Sequence, residues 1–366
     1  MKILYNHQVF HQKYGGISKY FFELANNIAF YKNEEATVKI ISPFFKTDYL
    51  SNKDRKFLLS GFKVPDFKGS ARLCSTMNSF FSPILSKYYN PNIIHDTYYN
   101  GIKNNNGQIK KIITVYDMIH ELFPNQFPKG DKTTELKKFA VAEADHIICI
   151  SNNTQKDLIN FFNVDANKTS VVHLGFSFET KEIKETIKTN KPYLLYVGSR
   201  NGYKNFARFI EAYSAPEIKD YFDLVVFGGG RLNEKELGMF EKLQISKKSL
   251  KEVNGNDAIL ASYYKNASLF VYPSLYEGFG IPPLEAMHFG CPVVCSNSGS
   301  IPEVVGNAAL LFDPYSVESI REKIISVLEN DNLKLSLSSK GFEQVKKFTW
   351  EKCARETYKI YKEVLK

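Results

Sequence analysis

Short apolar runs alternate with stretches of helical spacing through almost the whole chain, and they do so in two separate series. In the first, MKILYN, TVKIISP, NIIHDT, KKIITVYD, DHIICIS and TSVVHLG read as strands. Several are apolar on both faces, the pattern of parallel strands with helices packed above and below. Between them, GGISKYFFELANNIAFY and TTELKKFAVAEA carry the apolar spacing of a helix with one buried face. The rhythm breaks at FSFETKEIKETIKTNKP, which is polar, charged and closed by Pro192, the composition of a linker. It then restarts. YLLYVGS, FDLVVFGGG, SLFVYPS and PVVCS read as strands, with NFARFIEAY, DAILASYYKNA and PPLEAMHF as helices between them. Two βα arrays joined by a linker predict an α/β chain with two Rossmann-like domains facing across a cleft, over residues 1–180 and 181–345. The remainder, 346–366, reads as an amphipathic terminal helix. In sheets of this kind ligands gather at the carboxyl ends of the strands, so the loops there hold the candidate site.

At 366 residues the chain is too long for one ordinary core and comfortable for two. With 43% hydrophobic and 24% charged residues it has globular composition, which excludes disorder as a whole-chain reading. The opening MKILYNHQVF lacks the apolar core and small-residue cleavage site of a signal peptide. No apolar run reaches the ~18–20 residues of a bilayer span. The expectation is a cytoplasmic protein, peripheral at most at the inner face of a membrane. Cys74, Cys149, Cys291, Cys295 and Cys353 are odd in number and scattered, which suits buried free thiols better than a zinc site.

The net charge of +9 is uneven. Residues 1–175 hold 22 Lys and Arg against 15 Asp and Glu; the rest hold 26 against 24. The excess gathers at Lys46 to Arg72, Lys103 to Lys111 and Lys129 to Lys138. The plain reading is a solvated surface. The functional one is peripheral contact of the basic N-terminal half with anionic lipid or a phosphorylated acceptor. No RRM, KH or zinc-finger signature accompanies it, so nucleic acid is not an expected partner.

The most informative stretch is YPSLYEGFGIPPLEAMHFGCPVVCS. A strand ends at Pro273, and Glu277 follows in a loop with Gly278 and Gly280. Pro282 and Pro283 suit a first helical turn, where a missing N–H costs nothing. Glu285 is expected in that turn, and Gly290 just past the helix end. Glycines let backbone approach a ligand, and loop amides before a helix attract an anion. Two carboxylates flank that backbone, and a carboxylate only accepts hydrogen bonds, which suits vicinal sugar or ribose hydroxyls. The alternative is a capped tight turn, with Glu285 complementing the helix dipole.

Three further loops follow strands. In YVGSRNGYKNF, Arg200 and Lys204 come after Gly198, where a forked donor and a point charge suit a diphosphate and its departure. In QKYGGISKYFFELA, Gly15 and Gly16 precede a helix whose amides would meet a phosphate. In TVYDMIHELFP, a strand end delivers Tyr116, Asp117 and His120; Asp117 would equally orient the loop, and a lone His is often structural. Gly228 and Gly229, in FGGGRLNEKE, would let a nucleotide come close. Asp145 and Ser151 look structural, with Ser151 as a helix cap.

These motifs together resemble the retaining glycosyltransferases of family 4, which have the GT-B fold. The resemblance covers most of the chain, most strongly Tyr193 to Pro314 and least Lys46 to Asn90, where acceptor specificity would sit. It implies that Glu277 contacts the donor sugar and Glu285 the ribose. It gives the backbone of Gly278, Phe279, Gly280 and Ile281 to the sugar and phosphates. Arg200 and Lys204 would serve the diphosphate, although the family often has Arg directly beside its Lys and here Tyr203 fills that place. Asn254, in VNGND, lies where the family's backbone reads the base. The family's usual His near the reacting carbons is Tyr116 here, so that role falls to His120 or to the Tyr116 hydroxyl. The terminal helix would cross back to the N-terminal domain.

What the resemblance implies overall is transfer of a hexose from a nucleotide-diphosphate sugar to a saccharide or lipid-linked saccharide, as in bacterial surface-polysaccharide synthesis. GDP-mannose is favoured and a UDP-hexose is next. Anomeric configuration would be retained. No D-x-D occurs, so neither a metal nor another cofactor is expected. Two rivals keep the fold: a nucleotide-sugar epimerase needing no acceptor, and a module that only binds nucleotide-sugar. A dinucleotide oxidoreductase ranks last, since no G-x-G-x-x-G follows the first strand.

Overall fold

The computed structural model describes residues 1–13, 15–32, 34–100, 108–178, 191–200 and 202–366. Most of the expected linker, the 180/181 boundary and Lys103 of the basic run lie outside those residues. The chain divides into two compact units. One comprises Met1–Gly175 with Phe348–Lys366, the other Phe176–Lys347.

The first unit is built on the strands β1 (Lys2–Tyr5), β2 (Thr37–Phe45), β3 (Leu58–Lys63), β4 (Ile93–Asp96), β5 (Lys110–Val115), β6 (His146–Cys149) and β7 (Thr169–Val171). They form one sheet in the order β3-β2-β1-β4-β5-β6-β7, with every pairing parallel. The central strands are apolar on both faces, and Ile3, Leu4, Ile40, Ile93, Ile112, Ile113 and Ile147 are buried. From β1 the chain winds one way to β2 and β3, then the other way through β4 to β7. The carboxyl ends of β1 and β4 therefore border a topological switch point.

The terminal helix Trp350–Val364 belongs to this unit and packs on the helix Gly16–Tyr31. Thr349 caps it, its hydroxyl accepting from the Lys352 amide at 3.1 Å. A Cβ on Gly175 would lie 2.4 Å from the Trp350 ring, so only glycine lets the chain pass there. A buried polar thread fastens the helix to the sheet. The Tyr361 hydroxyl lies 3.1 Å from that of Tyr5 and 2.6 Å from His95 Nδ1, while His95 Nε2 lies 2.8 Å from Thr114 Oγ1. Burial drives the His95 pKa down to about 3, so the ring is neutral.

The second unit carries β8 (Tyr193–Val197), β9 (Asp223–Phe227), β10 (Leu250–Val253), β11 (Leu269–Tyr272), β12 (Val293–Ser296) and β13 (Leu310–Phe312). Its sheet order is β10-β9-β8-β11-β12-β13, again all parallel. Helices Phe206–Tyr213 and Val317–Leu328 cover it, burying Phe209, Ile210, Ile320 and Ile324 against Leu194, Val226 and Val271. The switch point lies between β8 and β11. All five cysteines are buried and free, as their scatter suggests. No described helix is long and apolar enough to cross a membrane.

Three strands, β3, β10 and β13, and the helices Glu234–Lys242, Val317–Leu328, Asp331–Val345 and Ser70–Tyr89 go beyond the elements read from the sequence. The helix Ser70–Tyr89 turns small and polar side chains inward, burying Ser70, Cys74, Asn78 and Ser82. Asn78 holds it to β2: its Oδ1 accepts from the Phe44 amide at 2.8 Å and its Nδ2 donates to the Phe44 carbonyl at 2.7 Å.

Candidate active site

The switch point of the second sheet brings together the two loops that the sequence marks most strongly. Tyr193–Val197 delivers the loop of Gly198 to Asn205, and Leu269–Tyr272 delivers that of Pro273 to Gly280. The Leu275 amide donates to the Tyr203 carbonyl at 2.7 Å, and Asn205 Nδ2 donates to the carbonyls of Pro273 (3.0 Å) and Pro314 (2.7 Å). Asn205 sits in the left-handed region at φ 58°, which asparagine tolerates, and this turns its amide into the buried space between the loops.

Across that junction, Lys204 Nζ lies 2.7 Å from Glu277 Oε1. The ammonium also faces the rings of Tyr203 at 5.2 Å and Tyr272 at 6.0 Å. The Tyr272 hydroxyl donates to Glu277, and burial together with that carboxylate pushes the phenol well above its ordinary pKa. Glu285 accepts from the Tyr264 hydroxyl at 2.8 Å. The rings of Tyr264, Phe270 and Tyr272 follow one another at 5.5 and 5.9 Å. Both carboxylates are thus tethered by phenols to one aromatic floor.

The helix after the loop, Ile281–His288, starts from Gly280 at φ 102° with Pro282 in its first turn, and Gly290 takes φ 72° past its end. Glu285 is one position later than expected: it opens the second turn rather than lying in the first, so a dipole-complementing role does not explain it. Gly278, Phe279 and Gly280 are buried. The Ser300 hydroxyl reaches the carbonyls of Glu277 at 2.8 Å and Phe279 at 2.9 Å, fixing the loop from behind. Gly299, at φ 62°, makes room: a Cβ there would stand 3.2 Å from the Glu277 amide nitrogen. Sequence reading did not single out Ser300, Gly299 or Asn205 for this site.

Arg200 is placed differently from the expectation of a free phosphate donor. Its Nε donates to Glu236 Oε1 at 2.7 Å and Nη2 to Oε2 at 3.3 Å. The remaining donors go to the carbonyls of Gly228 (3.1 Å), Gly230 (3.3 Å) and Arg231 (2.9 Å). Those five contacts match the five N–H groups of a guanidinium. Arg200 clamps the glycine loop after β9, where Gly228, Gly229 and Gly230 all have positive φ. A Cβ on Gly229 would lie 2.7 Å from Arg200 Nη1, so glycine is needed for the clamp itself. Gly198, at φ 122°, hydrogen-bonds through its amide to the Phe227 carbonyl at 2.9 Å. Asn254 is exposed in the turn after β10, on the far side of β9 from β8, away from the Lys204–Glu277 pair.

A groove of about 1230 Å³ in the second unit is walled by Arg200, Asn205, Arg208, Lys235 and Glu236. Neither Lys204 nor Glu277 lines it, so side-chain chemistry at the strand ends marks the site better than volume does.

In the first unit, Gly15 precedes the helix that Gly16 opens. A Cβ on Gly16 would meet nothing within 4 Å, so packing does not demand glycine there. Tyr116, after β5, is buried, and its hydroxyl donates to the Thr97 carbonyl at 3.3 Å. Asp117 Oδ1 accepts from the Ile119 amide at 3.0 Å and its carbonyl from Lys137 Nζ at 2.9 Å, so it orients the loop. His120 stacks on Phe127, with centroids 3.8 Å apart, and Nε2 stands 3.9 Å from Asp131. Ser151 caps the helix Asn152–Phe162 and Asp145 accepts from the Lys111 amide at 2.8 Å, both structural as expected. Among the described residues no cluster of three or more His, Cys, Asp or Glu is arranged to hold a metal ion.

Two parallel-sheet units, a returning terminal helix and a lysine–carboxylate pair at a switch point define the class: a glycosyltransferase of GT-B fold. The family model "Glycosyl transferases group 1" matches residues 177–344, and "Glycosyltransferase Family 4" matches 14–179. O-antigen chain mannosyltransferase B of Escherichia coli is 30% identical over 268 residues, 69% of this chain and 70% of that protein. The N-acetylgalactosamine-N,N'-diacetylbacillosaminyl-diphospho-undecaprenol 4-alpha-N-acetylgalactosaminyltransferase of Campylobacter jejuni is 26% identical, over 64% of this chain and 65% of its own length. Sucrose-phosphate synthase from Thermosynechococcus elongatus superposes with a TM-score of 0.72 at 18% identity, covering 100% of this chain and 99% of that one. The chain belongs to glycosyltransferase family 4.

Proposed function

We propose that this glycosyltransferase moves a hexose from a nucleoside-diphosphate sugar to a hydroxyl of a lipid-linked saccharide, with retention at the anomeric carbon. The observation that carries the reading is the Lys204–Glu277 pair at the carboxyl ends of β8 and β11. An ammonium held by a carboxylate is poised to exchange that partner for a phosphate as the donor enters. The freed Glu277 would then accept hydrogen bonds from the sugar hydroxyls, and Glu285 from the ribose. Amides of Gly278 to Ile281 would meet the sugar and phosphates, and those of Gly15 and Gly16 the phosphate. Arg200 acts by holding the Gly228–Gly230 loop against the nucleotide, with Asn254 nearer the base.

In the transfer the bond from the anomeric carbon to the diphosphate oxygen breaks, and the acceptor oxygen bonds to the same face of that carbon. The acceptor proton passes to the departing diphosphate. Lys204 and the loop amides stabilise the negative charge that develops there, in place of a divalent cation. His120 and Asp117 would shape the acceptor side in the first unit. The mannosyltransferase relative favours GDP-mannose, with a UDP-hexose next, and the relative whose name includes diphospho-undecaprenol supports a lipid-linked acceptor.

Thermal unfolding with GDP, UDP and ADP tests the donor. A nucleotide at one hundred times its Kd adds about 2.7 kcal/mol to stability, so the right one raises Tm clearly. Radiolabelled transfer from the matching sugar to a lipid-linked acceptor, undiminished by EDTA, is the expected result. Epimerised free sugar without transfer would establish the rival reading.

A further inference from the structure

The buried tyrosines of the second unit differ in what their hydroxyls meet. Tyr193 donates to the Tyr263 carbonyl at 2.8 Å, Tyr213 to that of Phe222 at 2.7 Å, and Tyr196 to that of Ser199. A backbone carbonyl is thus enough to satisfy a phenol in this core. Tyr264 and Tyr272 instead donate to side-chain carboxylates, and these are Glu285 and Glu277, the two acids of the site.

Tyr264 has the more constrained setting. It comes from the helix Asp257–Asn266 and is fully buried. Its ring lies nearly parallel to that of Phe289, with centroids 6.1 Å apart, and edge-on to Phe270 at 5.5 Å. Rings on two sides fix the phenol, and its hydroxyl stands 2.8 Å from Glu285 Oε2. Burial, and after it the Glu285 carboxylate, push that phenol well above its ordinary pKa, so it stays a donor through the neutral range. Glu285 itself is half-buried, in the second turn of its helix, where an untethered glutamate would move among several rotamers. A ligand that had to freeze such a side chain would lose roughly a factor of ten in affinity. The phenol has ordered it beforehand. A carboxylate offers about four acceptor sites, so one phenol does not exhaust it.

We infer that Tyr264 is a positioning residue: its hydroxyl holds Glu285 in the arrangement that reads a ribose, and so sets a preference for nucleotides that carry the ribose hydroxyls over those that lack them. The inference rests on the ribose contact proposed above for Glu285. Being fully buried, Tyr264 acts through Glu285 and not on the donor.

The test is calorimetric titration of the whole chain with GDP, UDP and ADP and with the 2′,3′-dideoxy form of each. The wild-type protein should bind the ribose form of its nucleotide about tenfold or more tightly than the dideoxy form. Tyr264→Phe should shrink that ratio below about threefold, by weakening the ribose form and leaving the dideoxy form where it was. Tyr264→Met, an adaptable apolar filler, repeats the measurement should the phenylalanine variant fold poorly. In a Glu285→Ala background, Tyr264→Phe should change the ratio no further. Tyr272→Phe should keep the wild-type ratio, since its phenol serves Glu277. A ratio that Tyr264→Phe leaves unchanged, even with both forms weakened together, would overturn the inference while the ribose contact stands. Equal loss of the ratio in Tyr272→Phe would overturn it in favour of the aromatic floor as a whole. Nucleotide bound with no ribose preference in the wild-type protein would refute the ribose contact of Glu285 and the inference with it. Failure to bind any of the three nucleotides would sink the donor reading as well.

Discussion

Lys204 and Glu277 stand 73 positions apart in the chain and 2.7 Å apart in the fold. Each lies in the loop after one of two neighbouring strands, so the parallel pairing of β8 with β11 makes the contact. Both side chains are largely buried, at 19% and 11% exposure, so neither charge is comfortable without the other.

Glu277→Ala and Lys204→Ala should therefore each lower kcat/KM by about 10² to 10³, the usual cost of removing one group aimed at developing charge. Asp257→Ala is the control. Asp257 is an exposed first-turn residue of the helix Asp257–Asn266, and its loss should leave turnover near the wild-type rate. Steady-state kinetics on the three variants decide the matter; equal activities would refute the site.

Arg200→Lys should not behave conservatively. Lysine offers a point charge where Arg200 makes a fork to Glu236 and three carbonyl contacts, so about 3 kcal/mol of stability should go with the clamp. A lower Tm in the absence of any nucleotide is the sign to look for. A residue serving only the donor phosphates would leave that Tm where it was.

How much of this was legible follows from where each residue's reason lies. Glu277, Glu285 and the Gly280 turn could be read because glycines and prolines punctuate a short segment whose logic is local. Lys204 could be read because it follows a strand and precedes a helix. Gly299, Ser300 and Asn205 could not, since what they do is bond to loops far away in sequence, and a Gly-Ser pair or an Asn looks the same in any turn. Arg200 was located correctly but not its partner: Glu236 is the N3 residue of a capping box with Asn233, and nothing local says that it also receives a guanidinium. The helix Ser70–Tyr89 escaped for a different reason. Periodicity finds helices by an apolar face turned inward, and this one buries serine, cysteine and asparagine.

Gly299→Ala should show how tightly the Glu277 loop is held. Its φ of 62° costs an alanine roughly 1 kcal/mol, and the new methyl would press on the Glu277 backbone at 3.2 Å. Turnover should fall more than stability does, because the displaced residue is Glu277 itself. Ser300→Ala removes the hydroxyl from the Glu277 and Phe279 carbonyls and should cost about 1–3 kcal/mol. Comparable losses of stability and activity in Gly299→Ala would place its effect in folding alone.

The geometry of Tyr116 favours a supporting role over a part in the chemistry. The hydroxyl is buried on the Thr97 carbonyl, and the ring meets Tyr20 edge-on at 6.0 Å. Tyr116→Phe should then cost about 1 kcal/mol in Tm and change kcat less than threefold. A loss of several orders of magnitude would return the hydroxyl to the chemistry.

Acid should release the terminal helix before it harms the second unit's sheet. His95 is fully buried between Tyr361 and Thr114, and its pKa falls from 6.5 to about 3 on folding. Because the folded pKa is the lower one, the unfolded chain binds the proton more readily. The native state is fully favoured above about pH 6.5 and loses ground as pH falls through the window down to about 3, at up to roughly 1.4 kcal/mol per unit. His7, lowered to about 4 by burial, adds to the same slope over a narrower range. His95→Asn should be less stable at neutral pH, since it shortens the thread to Tyr361, yet its Tm should fall less steeply between pH 6.5 and 4. Melting curves of both proteins across that range give the two slopes directly; parallel curves would mean that the proton goes elsewhere.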